Sequence, residues 1–320
     1  MDIEQLILWA DINLGEGELT PLQSDASQRS YYRLATTPST VLMDATLDAK
    51  NEEFLASAKL LSQYGLRVPQ IFKQDLKLGL FQVEDFGNDL LFNQRDNADI
   101  QGYLEQAIDS IIKIQSIPTN KILRPGHFSK EIAENELALF EKWFVNKYLE
   151  LKLTVAQQNL MSGTFRLILQ TLREQPQRAM HRDFHSKNLM LLPENKIGVL
   201  DFQDLMIGPI TYDLVSLLKD CYITWPKSTI RVLLKRFQEK TSWDISAEKL
   251  EYYFDITGLQ RHLKVLGGFS KIYLRQGNGH YLQYFDRILD YIVQVTAKYP
   301  QFDEFNRLFT AVLLPGLFEV

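Results

Sequence analysis

The stretch "NLMLLPENKIGVLDF", residues 188–202, joins two apolar runs through Pro193–Lys196 and reads as a β-hairpin. Its surroundings read as helix, so it has to be accommodated as an insertion. Upstream, "LEQAIDSIIKIQSI" and residues 129–148 carry apolar side chains at helical spacing; Ala133, Leu137, Phe140, Phe144 and Tyr148 share one face. Residues 155–174 form a further predicted helix, and everything after Tyr212 reads as helical. The first hundred residues differ. "GELTPLQ", "SYYRLAT" and "TVLMDATL" predict a three-strand meander. The segment ending at Gly65 predicts one helix, with Phe54, Ala58 and Leu61 on one face and acidic residues in its first turn. "PQIFKQD" and "GLFQVEDFG" complete five strands. The fold class is therefore α+β: a β-rich lobe over residues 1–87, a hinge near Gly87, and a mainly helical lobe over 88–320 carrying the hairpin.

With 320 residues, 45% of them hydrophobic, the chain can bury a sizeable core. Its one cysteine, Cys221, can form neither an intrachain disulfide nor a thiolate cluster, which points to a reducing compartment. A net charge of −5 argues against a nucleic-acid partner. No apolar run reaches transmembrane length, and the first residues are acidic where a signal peptide is basic. The expectation is a cytoplasmic protein with no membrane partner.

The chemistry is concentrated just before the hairpin, in "MHRDFHSKNLM". A hairpin brings the start of its first strand near the end of its second, so Asp183, Asn188 and Asp201 are expected to converge. Two carboxylates and an amide oxygen are hard ligands of the kind Mg²⁺ takes. His181 and His185 are four apart but lack the Glu of H-E-x-x-H, which disfavours zinc. Ser186 lacks the G-x-S-x-G elbow of a hydrolase. Protein kinases use H-R-D-x-x-x-x-N followed by a second Asp on the next strand. "HRDFHSKN" has that spacing, and Asp201-Phe202-Gln203 stands where D-F-G would.

On these motifs and their order, the chain resembles the aminoglycoside phosphotransferase and choline kinase group of small-molecule kinases over essentially its full length. "SDASQRSYYRL", "VLMDA", "VEDFG", "HRDFHSKNLM" and "IGVLDFQDLMIGPITYDLVSLLKD" resemble, within that group, the anomeric N-acetylmuramate/N-acetylglucosamine kinases of bacterial cell-wall recycling. The resemblance implies a bilobal protein-kinase-like fold, ATP and Mg²⁺ as cofactors, and phosphorylation of a sugar C1 hydroxyl to the α-1-phosphate. An amino sugar would be the partner, with a sugar-1-phosphate uridylyltransferase as a possible next step. Asp183 would orient the hydroxyl and take its proton, while Asn188 and Asp201 would hold the metal. His181 would brace the loop. Asp213 is either a residue favoured by a helix N-terminus or a second brace, and the two are compatible.

The loop "SDASQRS" stands where a nucleotide-covering loop belongs, with Ser24, Ala26, Ser27 and Ser30 admitting phosphates through backbone N–H groups; the alternative is a plain hairpin loop. The backbone of Glu84, Asp85 and Phe86 would read the adenine edge. Met43 takes the place of the third-strand Lys of protein kinases. Arg29 or Arg33 would supply the missing charge, unless either is a surface residue.

Residues 205–320 hold 14 Lys/Arg against 12 Asp/Glu, so the acceptor lobe is not built for a polycation such as an aminoglycoside. A neutral or anionic acceptor fits better. Its candidate contacts are His185, Tyr222, Arg261, His262 and Arg275, although for any one of the last four a structural or surface role outweighs contact. The alternatives to an amino-sugar kinase are a kinase for another small alcohol and, from Met43 alone, a nucleotide-binding pseudokinase.

Overall fold

The computed structural model describes residues 3–14, 17–22, 29–48, 50–122 and 126–317. The chain divides into two compact units, one of Met1–Gln106 with Lys187–Leu205, the other of Ala107–Ser186 with Met206–Val320. Residues 187–205 therefore belong with the strands of the first hundred residues.

In the first unit, α1 (Ile3–Leu14) precedes β1 (Leu19–Leu22), β2 (Ser30–Leu34) and β3 (Thr40–Asp44), and α2 (Asn51–Gln63) leads to β4 (Ile71–Asp75) and β5 (Leu80–Glu84). The strands form one antiparallel sheet in the order β1-β2-β3-β5-β4. The sequence reading lacked α1. That helix buries only Leu6 and Ala10, against Leu42 and Leu80, and leaves Ile7, Leu8 and Ile12 exposed, so its periodicity is blurred. All five residues of β3 are buried. Met43 is paired with Tyr31 on one side and Phe81 on the other.

α3 (Ile100–Gln115) runs from the first unit into the second. There follow α4 (Lys130–Leu139), α5 (Val155–Glu174) and the short β6 (Gln177–Met180). The hairpin is β7 (Leu189–Leu192) paired antiparallel with β8 (Lys196–Val199), and β9 (Met206–Pro209) returns to pair with β6. The second unit continues through α6 (Tyr212–Leu218), α7 (Lys227–Lys240), α8 (Ala247–Gln276) and α9 (Phe285–Lys298). The predicted helix over 129–148 is α-helical only to Leu139, and Phe140–Tyr148 widens into a π-helix. At that junction α8 approaches at Gly267, where an added Cβ would lie 2.3 Å from the Leu139 carbonyl carbon. Only a residue without a side chain fits there.

The core of the second unit is aliphatic and aromatic, from Leu137, Phe140 and Phe144 through Leu259, Leu263 and Leu266 to Ile288, Ile292 and Phe305. One polar knot crosses it. Thr211 donates to Gln175 Oε1 at 2.7 Å, its hydroxyl lies 2.8 Å from that of Thr257, and Gln175 Nε2 donates to the same Thr257 hydroxyl at 2.9 Å. Paired buried polar groups of this kind specify one arrangement of the chain. Here they register the start of α6, and with it Asp213, against α8.

Candidate active site

In the second unit, the main chain before Asp183 is fixed at several atoms. Asp213 is 1% exposed, and its carboxylate accepts the backbone N–H of His181 at 2.7 Å and of Arg182 at 2.9 Å. The carbonyl oxygen of Arg182 accepts from Arg261 Nη1 at 3.0 Å. Arg182 itself has φ of 82°, a left-handed conformation that costs a non-glycine residue on the order of 1–3 kcal/mol. Its side chain is held by Glu136 at 2.8 Å. Beyond Asp183, the Ser186 N–H donates to Asp220 Oδ2 at 2.8 Å, while Asp220 Oδ1 accepts from Tyr222 N at 2.8 Å. A loop held this way has its main chain fixed by the protein's own groups.

Glu136, on α4, is a hub that sequence patterning missed. Arg182, Lys264 and Gln260 all converge on its carboxylate, at 2.8, 3.2 and 2.9 Å. One of them, Lys264, also acts on Asp183. Burial alone would raise its carboxyl, but Lys264 and Arg261 outweigh that and hold it down at about 2. Burial dominates for Asp213, whose carboxyl is raised despite His181 and the two N–H donors. His181 is fully buried, edge-on to the Phe184 ring.

The acceptor candidates separate by environment. The His185 ring meets Tyr222 edge-on at 5.2 Å, and Tyr222 meets Tyr284 at 5.1 Å, an aromatic corner joined through His185 to the Asp183 loop. Arg261 is 8% exposed, with its guanidinium 4.4 Å from the Tyr212 ring centre. His262 is 2% exposed, stacked on Tyr291 at 4.7 Å with Nε2 at 2.9 Å from the Lys219 carbonyl oxygen, and burial lowers its pKa to about 3. Arg275 lies over Trp143 and lines an open groove with Lys147 and Lys152.

In the first unit, the hairpin sets Asn188 beside Asp201, with Asn188 Nδ2 donating to Asp201 Oδ2 at 3.4 Å. Leu200 N donates to the Asn188 carbonyl at 2.9 Å and fixes their register. Main-chain bonds from Leu191 to Asp89 and from Val199 to Arg67 hold the hairpin to the strand-rich part of the unit. Phe86 packs on Gly198 so closely that a Cβ there would lie 2.6 Å from the ring. The neighbouring acids are neutralised. Glu84 is paired with Arg67, and Arg33 grips Asp85 at 2.6 and 3.0 Å while also donating to Gly87 O at 3.0 Å. The Arg67 hydrogen bonds hold the Glu84 carboxyl low. Arg29 is 2% exposed, pairs with Asp48 at 2.7 Å and donates to Gln203 at 2.9 Å. Ser30 opens β2. Ser24, Ala26 and Ser27 lie outside the described residues.

Asp201 and Asn188 offer hard oxygen donors, and among the described residues no group of three or more His, Cys, Asp or Glu forms a self-sufficient metal site. That donor set fits Mg²⁺, which keeps waters and nucleotide oxygens in most of its positions, and does not fit zinc.

Such a fold and such residues are those of kinase-like phosphotransferases. The chain belongs to the phosphotransferase enzyme family, which it matches over residues 18–248. It is 33% identical to the N-acetylmuramate/N-acetylglucosamine kinase of Pseudomonas putida, across 96% of this chain and 95% of that protein. It is 35% identical to the enzyme of the same name from Neisseria meningitidis serogroup B, across 89% and 87%. Among solved structures, the ADP-bound aminoglycoside phosphotransferase APH(2'')-Ib superposes with a TM-score of 0.66 at 16% identity, covering 92% of this chain and 99% of that one. No described helix is long and apolar enough to cross a membrane.

Proposed function

We propose that this chain is an ATP-dependent amino-sugar kinase that phosphorylates the anomeric C1 hydroxyl of N-acetylmuramate, N-acetylglucosamine or both, in the cytoplasm. The observation carrying this reading is the near full-length similarity to two kinases of that name, together with the braced Asp183. Residues 1–87 would bind the nucleotide, with the backbone of Glu84, Asp85 and Phe86 against the adenine and Ser30 near the phosphates. Residues 88–320 would supply the acceptor site. Asp183 orients the C1 hydroxyl and accepts its proton late in a loose phosphoryl transfer, so its low pKa is no handicap. Asn188 and Asp201 would hold Mg²⁺, which would neutralise charge on the phosphates. His185 and Tyr222 present an aromatic wall to the sugar. Lys264 keeps a quarter of its side chain exposed and stays protonated, because Tyr212, Glu136 and Asp183 outweigh the lowering effect of its burial. It would meet the lactyl carboxylate of N-acetylmuramate. The product would suit a uridylyltransferase acting on sugar 1-phosphates.

The test is a sugar panel with mass detection, followed by brief mild acid treatment of the product. A glycosyl phosphate is expected to hydrolyse. A phosphate that survives identifies a 6-phosphate and overturns the anomeric assignment, while turnover of kanamycin but not of amino sugars overturns the substrate class.

A further inference from the structure

The segment after β8 is anchored within the first unit by three consecutive side chains. Phe202 stacks on Phe54, ring centres 5.1 Å apart and planes within 12°. Gln203 bridges two charged groups, and Asp204 pairs with Lys50. These anchors surround Asp201, whose φ of 60° places it in the left-handed region. Aspartate tolerates that region better than most residues but is not neutral there.

Gln203 stands where protein kinases carry the glycine of D-F-G. Both ends of its amide are engaged. Its Nε2 donates to Asp201 Oδ1 at 2.6 Å, and its Oε1 accepts from Arg29 Nη1 at 2.9 Å. Arg29 is itself fixed, with Nε 2.7 Å from Asp48 Oδ2 and its guanidinium 4.9 Å from the Phe54 ring centre. Turning the amide over would set NH₂ against a guanidinium and a carbonyl against a carboxylate, so only one orientation is compatible with both neighbours. The polarity set at Asp48 thus passes through Arg29 and Gln203 to Asp201. It occupies Oδ1 and leaves Oδ2 on the Asn188 side, 3.4 Å from that amide.

We propose that Gln203 is a positioning residue for metal binding, which, oriented by Asp48 and Arg29, fixes the Asp201 carboxylate so that Oδ2 is the oxygen offered to Mg²⁺. The inference rests on the reading of Asp201 and Asn188 as metal ligands. It gives Arg29, buried one residue before β2, whose neighbour β3 carries Met43 in place of lysine, a function through Gln203.

The test measures binding, with the full-length protein. Calorimetry gives the affinity for ADP without metal, and electron paramagnetic resonance of Mn²⁺ gives the metal affinity of the ADP complex. Gln203→Leu is expected to weaken Mn²⁺ by about tenfold, as for a lost hydrogen bond to a charged group, while metal-free ADP affinity stays unchanged. Arg29→Met should act in the same direction, and the double variant should be no weaker than the poorer single one, because the two residues act in series. Gln203→Asn, too short to reach both partners, serves as the second variant should Gln203→Leu not fold. Unchanged Mn²⁺ affinity in the folded Gln203 variants, a parallel loss of metal-free ADP affinity, or additive losses in the double variant would overturn the relay. Asp201→Ala separates the two levels. If it retains wild-type Mn²⁺ affinity the ligand reading fails, whereas if it loses the metal and Gln203→Leu keeps it, only the relay fails.

Discussion

Arg261 Nη1 donates to the carbonyl oxygen of Arg182 at 3.0 Å, one residue before Asp183. That bond supports a main chain whose Arg182 sits at φ 82° and whose N–H groups are held from the other side by Asp213. Arg261→Met removes the donor while leaving apolar volume against Tyr212. The expected result is a kcat reduced about tenfold with every acceptor, from the loss of about 1.5 kcal/mol of charge-assisted bonding, with ADP affinity unaltered. Steady-state kinetics on two acceptors, paired with ADP calorimetry, checks it; a loss confined to one acceptor would instead place Arg261 in direct contact with that sugar.

Asp183→Asn keeps the shape of the side chain and removes its charge. Turnover should fall by about two orders of magnitude or more with nucleotide affinity nearly intact. The pH dependence follows from the depressed carboxyl, about 2 against the ordinary 3.8. Ionised Asp183 contributes stability that is fully present above 3.8 and is lost as pH falls toward 2. Across the usual assay range the residue stays ionised, so wild-type kcat should show no acidic limb from it. An acidic limb near neutral pH that disappears in Asp183→Asn would count against this assignment.

His262 acts in the same direction, in a window at higher pH. Buried against Tyr291, it is neutral in the folded protein down to about 3, while the unfolded chain takes up its proton near 6.5. Between those values the unfolded state binds more protons, so stability falls as pH is lowered, by at most about 1.4 kcal/mol per pH unit from this one group. Denaturant unfolding of wild type and His262→Gln at pH 7 and pH 5 checks it: the difference in stability between the two pH values should be smaller in the variant. Equal differences would show that His262 does not carry the effect.

The hairpin and the "HRDFHSKN" spacing were legible because each is local: Pro193–Lys196 supplies turn chemistry, and Asn188 and Asp201 are set by register across two four-residue strands. The five strands of the first unit announced themselves through the same punctuation. β6 and β9 did not, since "QRAM" and "MIGP" are too short to show alternation and are joined only by pairing over a distance in sequence. Glu136 was hidden for a related reason. It lies beside Leu137 on a helix read for its apolar face, and its burial is intelligible only once Arg182, Gln260 and Lys264 are seen around it. Asp220 closes "IGVLDFQDLMIGPITYDLVSLLKD", but nothing local distinguishes an acid that receives a backbone N–H of the Asp183 loop from one at a helix end. Arg29 reads as a loop cation until its partners Asp48 and Gln203 are known.

On the proposed amino-sugar reading, Lys264 would bear on which sugar is preferred. Its ammonium is tethered by Glu136 at 3.2 Å and its charge acts on Asp183, yet its side chain remains a quarter exposed. Arg261, one turn earlier on α8, is buried and engaged by the Arg182 carbonyl. An incoming carboxylate would therefore meet Lys264 first. N-acetylmuramate has such a group and N-acetylglucosamine does not. Lys264→Met should raise KM for N-acetylmuramate about tenfold to hundredfold, the effect of losing a partly desolvated charge-assisted bond worth about 1.5–3 kcal/mol, and leave KM for N-acetylglucosamine nearly unchanged. Parallel initial-rate measurements on the two sugars decide it. An equal fall in kcat for both, with KM values unmoved, would assign Lys264 to the Asp183 loop rather than to recognition of the acceptor.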